Sequence, residues 1–225
     1  MKTVRRSFLK AAVASGAGLF TAAAAESGAA KGAVVKKIDV FPTSVEFKHT
    51  FVIGRGKVGT AGQGGRYVFV RVESADGRVG WGETNTIPSW SYETLESVTS
   101  TIRNYLAAIV LNRSPFDQVY FQKQFDERLT PAVSQGFPFA KSAVLTATLD
   151  LAGQITGLPL HRFFGGKVRD KIELTYALSI DTPQAMADVA RSYPFVKCFK
   201  LKVAGDEKLD AARVRTVIEI GRAHV

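Results

Sequence analysis

Hydrophobic and polar positions alternate with a period of two from Val34 to Lys48 and from Arg66 to Glu73, and resume from Arg78 to Glu83 after Asp76-Gly77, a pair suited to a tight turn. Three strands are predicted, the last two as a hairpin. From Ser91 the apolar spacing becomes that of an amphipathic helix. Helices are predicted over Ser91 to Leu111, with Ser91 as N-cap and Glu93 in its first turn, over Phe116 to Leu129 beyond Pro115, and over Phe139 to Ile155, stopped by Gly157 and Pro159. After Gly165-Gly166 the rhythm changes to strand Ile172 to Ile180, helix Thr182 to Arg191, strand Val196 to Val203 and helix Glu207 to Glu219. Strands followed by helices make an α+β unit, and strict alternation opens a parallel α/β domain.

Ile53 to Gly65 fits neither pattern, holding six glycines in thirteen residues. It lacks the Gly-Lys-Ser/Thr of a phosphate loop and precedes no helix, so it reads as a mobile connection between strands, either a lid or a hairpin link without function.

The stretch Val196-Lys-Cys-Phe-Lys-Leu-Lys-Val203 carries candidate chemistry. Period two sends Lys197, Phe199, Leu201 and Val203 to one side and Val196, Cys198, Lys200 and Lys202 to the other. Lys200 and Lys202 then stand one strand step apart at a C-terminal strand end, where α/β enzymes keep their reactive groups. Two ammonium groups that close are expected to lower each other's pKa, moving one towards the range of a general base near neutrality. An edge strand with both lysines in solvent is the other reading of the same residues.

With 225 residues, 46% hydrophobic and 10% aromatic, the chain has material for one large or two modest cores and is neither disordered nor fibrous. The net charge of +10 is spread along the sequence with no basic run interleaved with aromatics, which argues against nucleic acid as a partner. A single cysteine, Cys198, excludes an internal disulfide, and the three histidines show no metal-ligand spacing. Residues 1–25 have a basic start, an apolar Ala11 to Phe20 and small Ala23 to Ala25 before Glu26, the layout of a cleavable export signal. Within them Arg5-Arg6-Ser7-Phe8-Leu9-Lys10 resembles the twin-arginine signal, so periplasmic or exported residence is expected, without a stable membrane span. Residues 26–33 read as a linker.

Four strings now fall in order: Gly80-Trp-Gly-Glu83 after the hairpin, Ala147-Thr-Leu-Asp-Leu-Ala-Gly153 on a helix, Leu158-Pro-Leu-His-Arg-Phe-Phe-Gly-Gly166, and Phe199-Lys-Leu-Lys-Val203. Together they resemble the enolase superfamily, and within it the mandelate racemase and muconate lactonising branch, its muconate-like subgroup in particular. The resemblance implies an α+β capping domain over 34–170 followed by the start of a TIM-type (β/α) barrel over 171–219. It implies Lys202 as the base that takes the proton α to a substrate carboxylate, Lys200 as the neutralising charge beside it, and lid residues Ile53 and Arg55 in contact with substrate. The implied cofactor is Mg²⁺, held by carboxylates on the next three barrel strands, and the implied partners are a small carboxylate substrate and further copies in a homo-oligomer. Cycloisomerases, epimerases or racemases, and dehydratases share this scaffold, and dipeptide-active members often carry a polar residue where Ala177 stands.

A TIM barrel takes about 250 residues, so the metal ligands and the opposite acid/base, a lysine on the sixth strand or a histidine, are expected beyond Val225. The ending Ile220-Gly-Arg-Ala-His-Val225 matches one reading frame of a widely used sequencing adapter. Residues 220–225 are accordingly read as a non-native tail, and the chain as a truncated fragment, inactive alone. The other class of reading is an exported binding or interaction module, or a decayed paralogue, that keeps only the capping domain.

Overall fold

Alternating apolar side chains shape the first half of the computed structural model, in which residues 33–88 and 90–220 are described. The leader, nearly all of the linker and residues 221–225 lie outside these. β1 (Val35–Glu46) leads into a short hairpin, β2 (Phe51–Ile53) and β3 (Gly56–Gly59), and then into β4 (Gly64–Ser74) and β5 (Val79–Thr86). The long strands form one sheet in the order β1-β4-β5. In the central β4, Val68, Val70 and Val72 are fully buried while the positions between them reach solvent, the alternation that the sequence shows.

The first helix begins later than its sequence suggests, at α1 (Leu95–Thr101), and continues through a π-helical turn (Ile102–Leu106) into α2 (Ala107–Val110). Ser91 is not its cap. Thr94 Oγ1 accepts from the Ser97 amide at 3.2 Å while Ser97 Oγ accepts from the Thr94 amide at 2.9 Å, a reciprocal pair that satisfies two orphan donors where Ser91 offers one acceptor. Ser91 Oγ instead meets the Glu93 amide, ahead of the helix. α3 (Gln118–Arg128) buries Phe121 and Phe125, one turn apart and stacked at 6.3 Å between centroids. α4 (Pro138–Thr156) starts with proline, whose missing N–H costs nothing there, and ends at Gly157 in a left-handed conformation.

The described chain divides into two compact units. The first holds residues up to Val40, Phe69–Glu83 and Ser100–Leu158. In it β5 lies directly on α4: a Cβ on Gly80 would sit 2.3 Å from the Ala147 carbonyl oxygen, and one on Gly82 2.0 Å from that of Ala143. Asp150, on the same helix, accepts from the Trp81 amide at 2.8 Å and so occupies an outward donor of this edge strand. Gly80-Trp-Gly-Glu83 and the helix string around Asp150 are thus two halves of one packing device. Lys141, buried, donates to Asp126 at 2.8 Å and to the Leu129 carbonyl at 2.7 Å, the pairing that a buried ammonium requires.

The second unit holds Phe41–Val68, Thr84–Thr99 and the chain from Pro159 onwards. Here β6 (Thr175–Leu178), α5 (Pro183–Ser192), β7 (Cys198–Leu201) and α6 (Glu207–Ile218) follow in turn, with β6 and β7 parallel and Ala177 opposite Lys200. Leu178, Met186, Ala190, Val196, Phe199 and Val217 form the core, flanked by Tyr176, Tyr193 and Leu201. Val196 corrects the period-two reading, which put it on the lysine side. Strand geometry begins only at Cys198, and the Val196 amide still closes a turn onto the Tyr193 carbonyl, which directs this residue into the helix-covered core. Among the described residues no helix is long and apolar enough to cross a membrane.

Candidate active site

The parallel ladder of β6 and β7 decides what each face carries. Tyr176, Leu178, Phe199 and Leu201 point into the core with α5 and α6, which leaves Thr175, Ala177, Cys198 and Lys200 to the opposite face. Lys200 is exposed. Lys202 lies one residue past β7 and is half-buried; its amide donates to the Leu178 carbonyl at 3.1 Å, continuing the ladder by one rung. Both lysines thus leave the sheet at its C-terminal end.

The loop that follows them is braced from α6. Asp210 accepts from the Ala204 amide at 3.1 Å and the Gly205 amide at 2.8 Å, and pairs with Arg213 at 2.6 Å. Burial pushes the Asp210 carboxyl up, but these amides and the Arg213 guanidinium outweigh it and leave the pKa below its ordinary value. Arg213, itself buried, also donates from Nε to the Asp181 carbonyl at 2.7 Å, so one side chain ties the loop after β7 to the loop after β6. Asp206 is the N-cap of α6, accepting from the Leu209 amide at 3.0 Å.

The glycine-rich segment reaches the same place. Rather than an unstructured connection it forms the antiparallel hairpin β2–β3, with Ile53 opposite Gly56 around the two-residue turn Gly54-Arg55. Val52 donates to Ser179 Oγ at 2.8 Å and accepts from the Ile180 amide at 3.1 Å, which docks the hairpin on the chain leaving β6. A Cβ on Gly54 would stand 3.3 Å from the Val203 carbonyl oxygen, so the hairpin tip meets the main chain one residue beyond Lys202. The structure therefore brings the half-buried Ile53 and exposed Arg55 to the strand exit that bears the lysines. Ser179 was not singled out from sequence; its only signal is a hydroxyl just past a strand end.

A separate cavity of about 420 Å³ runs along the edge of β6, lined by His49, Phe51, Tyr176, Ser179, Asp181 and Tyr193 among others, and neither lysine lines it. Tyr193 hydrogen-bonds Tyr176 there and raises the pKa of that phenol. Among the described residues no three His, Cys, Asp or Glu side chains gather to hold a metal ion.

A parallel βαβα segment with charged groups at its strand exits is the arrangement in which α/β enzymes place their chemistry. Residues 37–165 match the family described as mandelate racemase / muconate lactonizing enzyme, N-terminal domain, and the chain belongs to that family, a branch of the enolase superfamily. The D-Ala-D/L-Ala epimerase of Cytophaga hutchinsonii is 31% identical over 189 residues, 83% of this chain and 48% of that protein. The chloromuconate cycloisomerase of Cupriavidus pinatubonensis is 31% identical over 141 residues, 60% of this chain and 37% of that protein. A crystal structure of the dipeptide epimerase from Cytophaga hutchinsonii, complexed with Mg and the dipeptide D-Ala-L-Val, superimposes with a TM-score of 0.70 at 30% identity over 83% of this chain and 48% of that one. The chain spans about half the length of the curated relatives it matches.

Proposed function

We propose that this chain supplies the lid and the proton-abstracting strand of an isomerase, one that epimerises or racemises a dipeptide or N-acylated amino acid at the carbon α to its carboxylate. The observation that carries this reading is the meeting of the hairpin tip with the chain one residue past Lys202. A proton α to a carboxylate is very weakly acidic, so its removal needs a positioned base together with charge stabilisation for the enediolate. Lys202, half-buried and fixed through its amide to Leu178, takes the proton; Lys200, two residues earlier, neutralises developing negative charge. Arg55 at the hairpin turn engages an anionic or carbonyl group of the substrate and Ile53 its apolar part.

Epimerisation is taken ahead of cycloisomerisation because sequence matches over 82–83% of the chain are to two epimerases and a racemase, while solved structures of both classes cover the chain equally. Ala177, opposite Lys200, stands where dipeptide-active members often carry a polar residue, which weighs towards an N-acylated amino acid rather than a dipeptide. Mg²⁺ is part of the proposal, to stabilise enediolate oxygens when bound. The described residues do not form its site, since Asp206 and Asp210 are committed to caps and to Arg213, so no step is routed through it here. Its ligands are therefore sought outside the described residues. The pattern of residues 1–25 supports export of the protein in folded form to the periplasm.

The test is proton exchange. The protein as its gene encodes it beyond Glu219 is incubated with Mg²⁺ in D₂O with dipeptides and N-succinyl amino acids, and deuterium at the α-carbon is followed by NMR. Exchange is expected for the wild type, and a fall of about 10³-fold in Lys202→Met. Undiminished exchange in Lys202→Met removes that lysine from the role of base, and no exchange with any carboxylate turns the reading to a binding module.

A further inference from the structure

We infer that the Ser179 hydroxyl is the latch that holds the β2–β3 hairpin down over the strand exit bearing Lys202. A hairpin with strands of three and four residues is marginal in water unless something else holds it. Its base is well held. Phe47 covers it so closely that a Cβ on Gly59 or Gly65 would lie 2.9 or 2.7 Å from the ring, and the Phe47 main chain exchanges bonds with Gln63 and Gly62 at 2.9 and 3.0 Å. Near the tip the grip is on Val52, whose N–H and C=O are taken by two successive residues, Ser179 and Ile180. Gly54, Arg55, Gly56 and Lys57 beyond it are exposed.

The two bonds differ in kind. The Ile180 bond joins main chain to main chain and follows the backbone wherever it goes. The Ser179 bond ends on a side-chain hydroxyl at 2.8 Å, so it alone can be released by a rotation about one torsion. When it is released with the hairpin down, the half-buried Val52 loses its acceptor, and the balance moves towards a raised hairpin whose amide meets water. One hydrogen bond is a weak clasp. That suits a lid, which has to open in each catalytic cycle to admit substrate and release product. The inference rests on Lys202 as the base only for what the lid covers; Ser179 is a positioning residue and touches no substrate.

Tryptic cleavage tests it without substrate. Arg55 and Lys57 are exposed cleavage sites on the hairpin, and Lys171 is an exposed site on the same unit outside it. In the protein as its gene encodes it, Ser179→Ala is expected to speed cleavage after Arg55 and Lys57 about fivefold, the effect of losing one hydrogen bond. Ser179→Thr, which keeps a hydroxyl, is expected to stay near the wild-type rate, and cleavage after Lys171 to be equal in all three. Amide exchange at Val52 should rise in Ser179→Ala alone. Unchanged hairpin cleavage in Ser179→Ala overturns the latch, and so does an equal acceleration at Lys171, which reports general loosening. If Ser179→Ala behaves as expected while Lys202→Met retains α-proton exchange, the latch stands and the assignment of the base falls.

Discussion

On β5, Gly80 and Gly82 have no room for a side chain, because the main chain of α4 runs against them; at the hairpin turn Gly56 has nothing within 4 Å of where a Cβ would be and a φ of +114° instead. The first pair is glycine for closeness. A Cβ there meets backbone that cannot swing aside, and the neighbouring Trp81 amide is further tied to Asp150. The second is glycine for conformation, at a φ that other residues rarely adopt, on a segment attached by few bonds. One unit is built as a frame that does not yield, and the other carries a part that lifts. The difference shows where shape is fixed and where motion is allowed, although both places carry the same Gly-x-Gly spacing.

The comparison is broken most severely by Gly82→Ala. A methyl group 2.0 Å from the Ala143 carbonyl forces β5 off α4, and a loss of about 3 kcal/mol or more in urea unfolding is expected, larger than for typical overpacking because no flexible side chain can give way. A loss below about 1 kcal/mol would mean that the frame is softer than its packing. Next comes Gly56→Ala, where space is open and only the positive φ resists; about 1–2 kcal/mol of strain is expected, expressed as faster cleavage after Arg55 rather than as a lower unfolding midpoint. If the global midpoint falls as far as in Gly82→Ala, the hairpin is part of the frame and the contrast disappears.

The smallest effect sharpens the comparison with a region held by charge. Asp210 is pushed up by burial, yet its hydrogen bonds to the Ala204 and Gly205 amides and to Arg213 bring its folded pKa below the ordinary 3.8. The unfolded chain therefore takes up this proton at a higher pH than the folded one. The stabilisation is complete above the ordinary value and is lost as pH falls through the lowered one. Asp210→Asn should be less stable near neutrality and show a shallower decline of the urea midpoint below pH about 4. A decline as steep as that of the wild type would show that the brace does not titrate.

Periodicity made β4, α3, α4 and the β6-α5-β7-α6 alternation legible, because each buries one face against another and its apolar spacing has to record that. The motif Gly80-Trp-Gly-Glu83 pointed to its family before the reason for it was visible; the reason is α4. Three features could not be read. Thr94 and Ser97 cap α1 as a reciprocal pair, a choice among several hydroxyls nearby that only geometry makes. Val196 obeys a turn rather than a strand, so alternation counted back from Cys198 puts it on the wrong face. The hairpin Phe51–Gly59 overlaps a glycine-rich run with little apolar pattern beyond Phe51-Val-Ile53, and its order comes from Phe47, from main-chain bonds and from Ser179. At the site, Lys200 and Lys202 are visible as two charges on one side of a short strand stretch that also holds Lys197, whereas Ser179 acts through a bond to a backbone amide 127 residues away in sequence, which no local signal encodes.

The Asp210–Arg213 brace grips amide hydrogens and a carbonyl oxygen, never the side chains of Val203 or Ala204. Selection is thereby given freedom at the rim of the mouth: the identities of residues 203 and 204 can drift while the rung that fixes Lys202 to Leu178 stays in place. A scaffold of this kind separates the fixing of a backbone from the choice of side chains on it, and a library randomised at those two positions should keep its fold while changing the surface beside Lys202.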